Sequence, residues 1–168
     1  MSDYQQLFRA FERYGVQYVV VGGLAVVLHG YIRTTVDLDL IVDLAPAEAG
    51  KAVAALASAG YLPSAPVDPE GFADPQTRAA WIAEKGMTVF SWFHREDPLR
   101  VVDLFVIEPI PFTDLRERAT IAAYRRTRVP VASIADLIAL KRAAGRAQDF
   151  EDISRLEEIE RIEAERRG

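Results

Sequence analysis

The chain has 168 residues, half of them apolar and 27% charged, with a net charge of −5. Such a chain fits one domain with a small helical appendage, and its acidity argues against a surface that grips nucleic acid wholesale while leaving room for a local basic patch. The lack of cysteine excludes disulfide scaffolds, thiolate zinc sites and cysteine nucleophiles, and no apolar run reaches the roughly 18 residues of a membrane span. The polar, amphipathic N-terminus is not a signal peptide, so a cytoplasmic protein without a membrane partner is expected.

Taken in chain order, Ser2 or Asp3 is placed to cap a first helix carrying Leu7, Phe8, Phe11 and Tyr14 on one side, stopped by Gly15. Residues 18–21 read as a short buried strand. After Gly22-Gly23, residues 24–29 favour helix and Gly30 ends it. Residues 36–42 form a second strand. Pro46 suits the first position of a helix that runs to Ala59 and stops at Gly60. Residues 61–75, with four prolines and Gly71, read as an irregular loop. A helix over 76–84 precedes a strand at 87–93, a charged turn at 94–98 and a strand at 100–107, an antiparallel hairpin. A short helix follows Thr113, residues 126–131 form a last strand, and Ser133 caps a helix through Ala144 that Gly145 stops. A charged helix from about Gln148 completes the chain. This order predicts an α/β or α+β fold, a mixed β-sheet flanked by helices. The expected division is a core over 1–131 and a C-terminal helical segment over 132–168 packed on it.

The strand Asp37-Leu38-Asp39-Leu40 carries the chemistry. Alternate side chains of a strand share a face, so Asp37 and Asp39 point together while the leucines enter the core. Paired carboxylates repel unless a cation lies between them, and Mg²⁺ favours a few carboxylate oxygens together with substrate phosphates. Asp103 interrupts an otherwise apolar strand and is the candidate third carboxylate; the competing reading of all three is a solvated sheet face. Gly22-Gly23 permits close backbone approach at the start of a helix, where free N–H groups suit a phosphate. Asp149 and Asp152 lie about one helical turn apart, read equally well as first-turn charges or as site residues. His29 and His94 make no zinc site. Trp81, Trp92 and Phe93 read as core or cleft wall. Arg116, Arg118, Arg125, Arg126 and Arg128 form a basic stretch, either solvated or a groove for RNA.

The sequence Val21-Gly22-Gly23, then Asp37-Leu38-Asp39-Leu40, with a later strand carboxylate at Asp103, resembles the nucleotidyltransferase superfamily typified by DNA polymerase β. The Arg33-x-Thr35-x-Asp37-x-Asp39 spacing, with Lys141 followed by Arg146-x-x-Asp149-x-x-Asp152, resembles the small bacterial type, including AbiEii-family toxins and minimal antibiotic nucleotidyltransferases. The resemblance implies a Mg²⁺- or Mn²⁺-dependent enzyme that moves a nucleoside monophosphate from a nucleoside triphosphate, such as ATP, to an acceptor hydroxyl. In that scheme Asp37, Asp39 and Asp103 would bind metal, with Asp103 also positioning or deprotonating the acceptor. Gly22, Gly23, Arg33, Thr35, Lys141 and Asp149 would lie around the nucleotide, Lys141 as a point charge for its phosphates. The implied acceptor is RNA or protein in a toxin–antitoxin or defence setting, with an antitoxin partner. Transfer to a small hydroxylated drug, or a non-catalytic nucleotide-binding module, are the alternatives.

Overall fold

Short apolar runs from both halves of the chain pair into one seven-stranded sheet. In this computed structural model, which describes residues 3–167, α1 (Gln5–Tyr14) leads into β1 (Tyr18–Val21), α2 (Gly22–Leu28), β2 (Asp37–Val42) and α3 (Pro46–Ser58). Then come β3 (Tyr61–Pro63), a 3₁₀ turn (Pro69–Ala73), α4 (Pro75–Lys85), β4 (Val89–His94) and β5 (Asp97–Phe105). The chain ends with α5 (Phe112–Arg118), β6 (Thr120–Tyr124), β7 (Thr127–Val131), α6 (Ile134–Ala144) and α7 (Ala147–Arg167). The strand order is β3-β4-β5-β2-β1-β7-β6. The β1–β7 and β2–β5 pairs are parallel and the other four antiparallel. The fold is thus the mixed α/β class that the sequence predicts.

The sheet's two faces are covered unequally, and this positions the site. β1 is buried at all four positions, as expected of a central strand whose run of valines is covered on both faces. In β2, β4 and β5 the burial alternates. Leu38, Leu40, Phe90, Trp92, Val102 and Leu104 are almost wholly buried, and Phe90 packs against Phe72 of the 3₁₀ turn and Trp81 of α4, with ring centroids 5.9 and 5.0 Å apart. On the other face, Asp37, Asp39, Ser91, Phe93, Val101, Asp103 and Phe105 are only half-buried. The period of two therefore sorts apolar residues into the core and leaves the acids on a half-open face.

Several boundaries differ from the sequence reading, each for a physical reason. The supposed loop after Gly60 begins with edge strand β3: Tyr61 is buried and pairs with His94, and Pro63 is tolerated because it ends an edge strand. β6, absent from the sequence reading, pairs with β7 through a turn in which Arg125 takes a positive φ of 52°. That turn lacks the Asn-Gly or Asp-Gly signature that would have announced it. His94 is a buried strand residue beside Tyr61, with its Nδ1 accepting from the Glu96 N–H, and the turn shrinks to the residues after it. Tyr14 is exposed, so Ala10 completes the buried face of α1. The helix after the glycines starts at Gly22 itself. Asp3 accepts a hydrogen bond from the Gln5 N–H at 2.9 Å; Ser2, the other candidate cap, lies outside the described residues.

Leu104 is fully buried directly beside Asp103 in the chain. Leu104→Ala should lower the unfolding free energy by about 2–5 kcal/mol, measured by urea titration, because the strand bearing Asp103 is held from behind by that packing.

Candidate active site

Strand register brings the three predicted acids to one place. β2 and β5 run side by side with Asp37 opposite Val101 and Asp39 opposite Asp103. On the far side of β5, Ser91 lies opposite Asp103, and β1 sets Val21 opposite Asp39. Register partners share a face, so Asp37, Asp39, Asp103 and Ser91 all stand on the half-open side. Gly22 follows Val21 with φ +64°, and a Cβ there would overlap the Asp39 carboxylate. A Cβ on Gly23 would lie 2.6 Å from Thr35 Oγ1 and collide with the Arg33 guanidinium. The glycine pair thus lets β2, and the loop before it, close onto the start of α2, which side chains would prevent. Thr35 Oγ1 donates to the Asp37 carbonyl at 3.3 Å, fixing the loop where it enters the strand.

The acids are electrostatically uncomfortable as they stand. Burial, then the charges of Asp103 and Asp37, push Asp39 up to about 6 from an ordinary value of 3.8, against the opposing pull of Arg146 and Lys141. Asp103 is also raised, by burial and by Asp37, although a hydrogen bond from the Ser91 hydroxyl favours its charged form. Its Oδ1 is buried without a hydrogen-bond partner. Hard carboxylate oxygens with unmet charge and an unused lone pair suit a divalent cation. Among the described residues no group of three or more acidic or histidine side chains is placed to hold a metal ion. A divalent cation here would need oxygen ligands beyond these acids.

A second cluster joins α6, α7 and the loop before β2. Lys141 is buried and donates to Asp152 at 2.6 Å and to Asp149 at 3.4 Å. Arg146 donates from Nε to Asp149 at 2.8 Å, and Arg33 Nε faces Asp152 Oδ1 at 3.4 Å. Burial would raise the Asp149 carboxyl, but hydrogen bonds from the Arg146 side chain and backbone, with the charges of Arg146 and Lys141, hold it below the ordinary range. Three cations against two carboxylates leave a positive excess facing the acids of β2 and β5. Between the two clusters runs a cleft of about 280 Å³, with Gly22, Asp39, Lys141 and Arg146 at its polar end and Phe105, Ile107, Leu137 and Leu140 among its apolar walls.

Each predicted site residue has a definite place. Gly22, Asp39, Lys141 and Asp149 line the cleft; Asp37 and Asp103 flank Asp39 on the same face; Arg33 and Thr35 sit over Gly23. Asp149, in the first turn of α7 as one of its two sequence readings had it, and Asp152 are buried ion-pair partners of Lys141. His29 bonds through Nε2 to the Ala132 carbonyl at 2.8 Å, and Trp81 and Trp92 are core. Arg146, which the sequence reading quoted beside Asp149 without giving it a role, faces Asp39 as well. Ser91 escaped the sequence reading, because only the β4–β5 register brings it to Asp103.

Comparison with known proteins gives the family and the fold. A family model described as a nucleotidyltransferase of unknown function (DUF6036) matches residues 1–166. The chain belongs to that family. It is an enzyme of the nucleotidyltransferase class. A search of curated proteins by sequence gives no match. Among solved structures, the lincosamide antibiotic adenylyltransferase LnuA with lincomycin bound is similar in fold, with a TM-score of 0.60, 20% identity, and coverage of 94% of this chain and 98% of that one. No helix among the described residues of the nucleotidyltransferase is long and apolar enough to cross a membrane.

The raised Asp39 pKa has a consequence for stability. Between about pH 4 and pH 6 the folded enzyme holds a proton on Asp39 that the unfolded chain releases, so the contribution of this group to stability falls as pH rises through that window. In metal-free buffer Asp39→Asn should therefore be more stable than wild type at pH 8, by up to about 3 kcal/mol, and nearly equal at pH 4. Urea unfolding at the two pH values checks this; equal stability at pH 8 would overturn the rise that burial and the neighbouring acids impose on Asp39.

Proposed function

We propose that the enzyme moves a nucleoside monophosphate from a nucleoside triphosphate to an acceptor hydroxyl on RNA or protein, as an AbiEii-like toxin or defence enzyme, with release of pyrophosphate. The observation that carries the reading is the register of β2 and β5, which sets Asp39 beside Asp103 with Asp37 on the same face. Asp37 and Asp39, with Asp103, would hold Mg²⁺ or Mn²⁺, which when bound would neutralise charge on the phosphates. The residues of the chain supply the rest. Asp103, on the half-open face, would accept the proton of the acceptor hydroxyl, while Ser91 steadies the carboxylate. The acceptor oxygen forms its bond to the α-phosphorus as the bond to the leaving pyrophosphate breaks. Arg146, whose side chain is 76% exposed, and Lys141 offer positive charge to the triphosphate, with Arg33, Thr35, Asp149 and the backbone of Gly22 and Gly23 shaping its seat. ATP fits such a seat, and the apolar cleft wall would take the base.

This assignment divides the chain into a catalytic core over 1–131 and a helical segment over 132–168 that supplies the counter-charge. The C-terminal Lys141, Arg146, Asp149 and Asp152 cluster supports the toxin-like type, and an antitoxin would be its partner in a cytoplasmic setting. A second reading, transfer to a small hydroxylated drug, is favoured by a different observation. The register row Leu62–Phe93–Val101–Asp37 runs from an exposed leucine through half-buried apolar side chains to the acids. Such a row would suit an amphipathic acceptor like the lincomycin that LnuA holds.

Each α-labelled nucleoside triphosphate, incubated with Mg²⁺, the enzyme and either total RNA or lincomycin, separates the two readings by where the label goes. Asp39→Ala and Asp103→Asn should each lower transfer by about 100-fold or more, and EDTA should abolish it. Transfer that survives Asp39→Ala at the wild-type rate would overturn the site.

A further inference from the structure

The basic stretch noted in the sequence separates, in three dimensions, into used and unused charge. Arg118 grips Asp136 through Nε and Nη2, and Arg125 pairs with Asp3. Arg116, Arg126 and Arg128 take no part in any ion pair among the described residues, and neither does Arg9 of α1. These four arginines, drawn from α1, α5, the β6–β7 turn and β7, line one groove of about 520 Å³ in which Glu12 is the sole acidic residue. Arg9, Arg126 and Arg128 are exposed and Arg116 half-buried. In a chain of net charge −5, four unpaired guanidiniums around one trough form a local field opposite in sign to that of the whole molecule.

This groove is separate from the acid site. Tyr18, on its floor, packs on Phe8 and Phe11 of α1, with ring centroids 5.9 and 5.0 Å apart. Three residues further along β1, Val21 shares the face of Asp39, so Tyr18 points to the opposite face and lies at the opposite end of the strand. A triphosphate seated at the acids cannot use these arginines. The ligand they suit is an anion with charges repeated along its length, since guanidinium forks match phosphate oxygens and the four are spread along a trough rather than focused on a point.

We propose that this groove binds the phosphate backbone of RNA, anchoring an acceptor that passes over the β6–β7 edge to the acids on the other face. The identity of RNA as acceptor rests on the function proposed above; the groove as a polyphosphate site does not. One polymer then accounts for both surfaces, because RNA carries repeated phosphates for the arginines and a terminal hydroxyl for Asp103. An acidic protein partner would satisfy the charges but would leave the acceptor unexplained.

The test is fluorescence anisotropy with a labelled RNA hairpin bearing a single-stranded 3′ end, titrated at several salt concentrations. Four phosphate contacts should give a slope of log K against log salt of about −3, reduced by about 0.7 for each arginine lost. Arg126→Glu with Arg128→Glu should weaken binding at least about tenfold, whereas Asp39→Asn should bind as wild type does. Both arginines are exposed, so circular dichroism melting should be unchanged; Arg126→Gln with Arg128→Gln repeats the measurement should the reversal disturb folding. Binding indifferent to these substitutions, or poly-glutamate competing as well as RNA at equal charge, would overturn the groove. Arginine-dependent binding without transfer to the hairpin keeps the groove and removes RNA as acceptor. Transfer to RNA that ignores the arginines does the reverse.

Discussion

The parallel pairing of β2 with β5 is the constraint on which the rest of the molecule depends. A parallel pair needs a long crossover, and here it spans α3, β3, α4 and β4. What that crossover secures is the register of Asp39 against Asp103. A slip of one residue would send every side chain of one strand to the other face. Leucines would then lie among the acids and a carboxylate would enter the aromatic core around Phe90 and Trp92. The alternation of leucine with aspartate in β2 is therefore a single device with two outputs: it packs one side of the sheet and charges the other.

Charging one side carries a penalty, and the opposing cluster is arranged to meet part of it. Lys141 and Arg146 oppose the rise in the Asp39 pKa, but neither is free to collapse onto the acids, because Asp149 and Asp152 hold them. Buried ion pairs of this kind contribute little net stability; they fix position, and losing one partner strands the other. The cleft is thereby kept open between the acids and a cluster of net positive charge, each restrained from neutralising the other.

Much of this was legible in the sequence, for reasons that differ by element. Strand β1, the Asp-Leu-Asp strand, α3, α6 and their glycine stops were readable because burial periodicity and capping are local signals. Ser133, for example, accepts from the Asp136 N–H at 3.1 Å where the sequence placed a cap. Edge strands β3 and β6 were not readable, since they pair on one side only and carry prolines or alanines in place of β-branched runs. The acids were legible by type and spacing; their company was not. Ser91 reaches Asp103 through strand register, and Arg33 reaches Asp152 across more than half of the chain. Such partnerships exist only after folding and have no local pattern.

That last contact also ties the acidic sheet to α7. The loop before β2 is held by Arg33, whose buried partner Asp152 lies in the final helix, and Lys141 finds its two partners there as well. The acids stand on strands of the sheet, while the residues that pin the loop and balance the charge belong to α6 and α7. Undocking α7 would strand Arg33 and Lys141 together, so one helix holds both the loop over Gly23 and the counter-charge of the cleft.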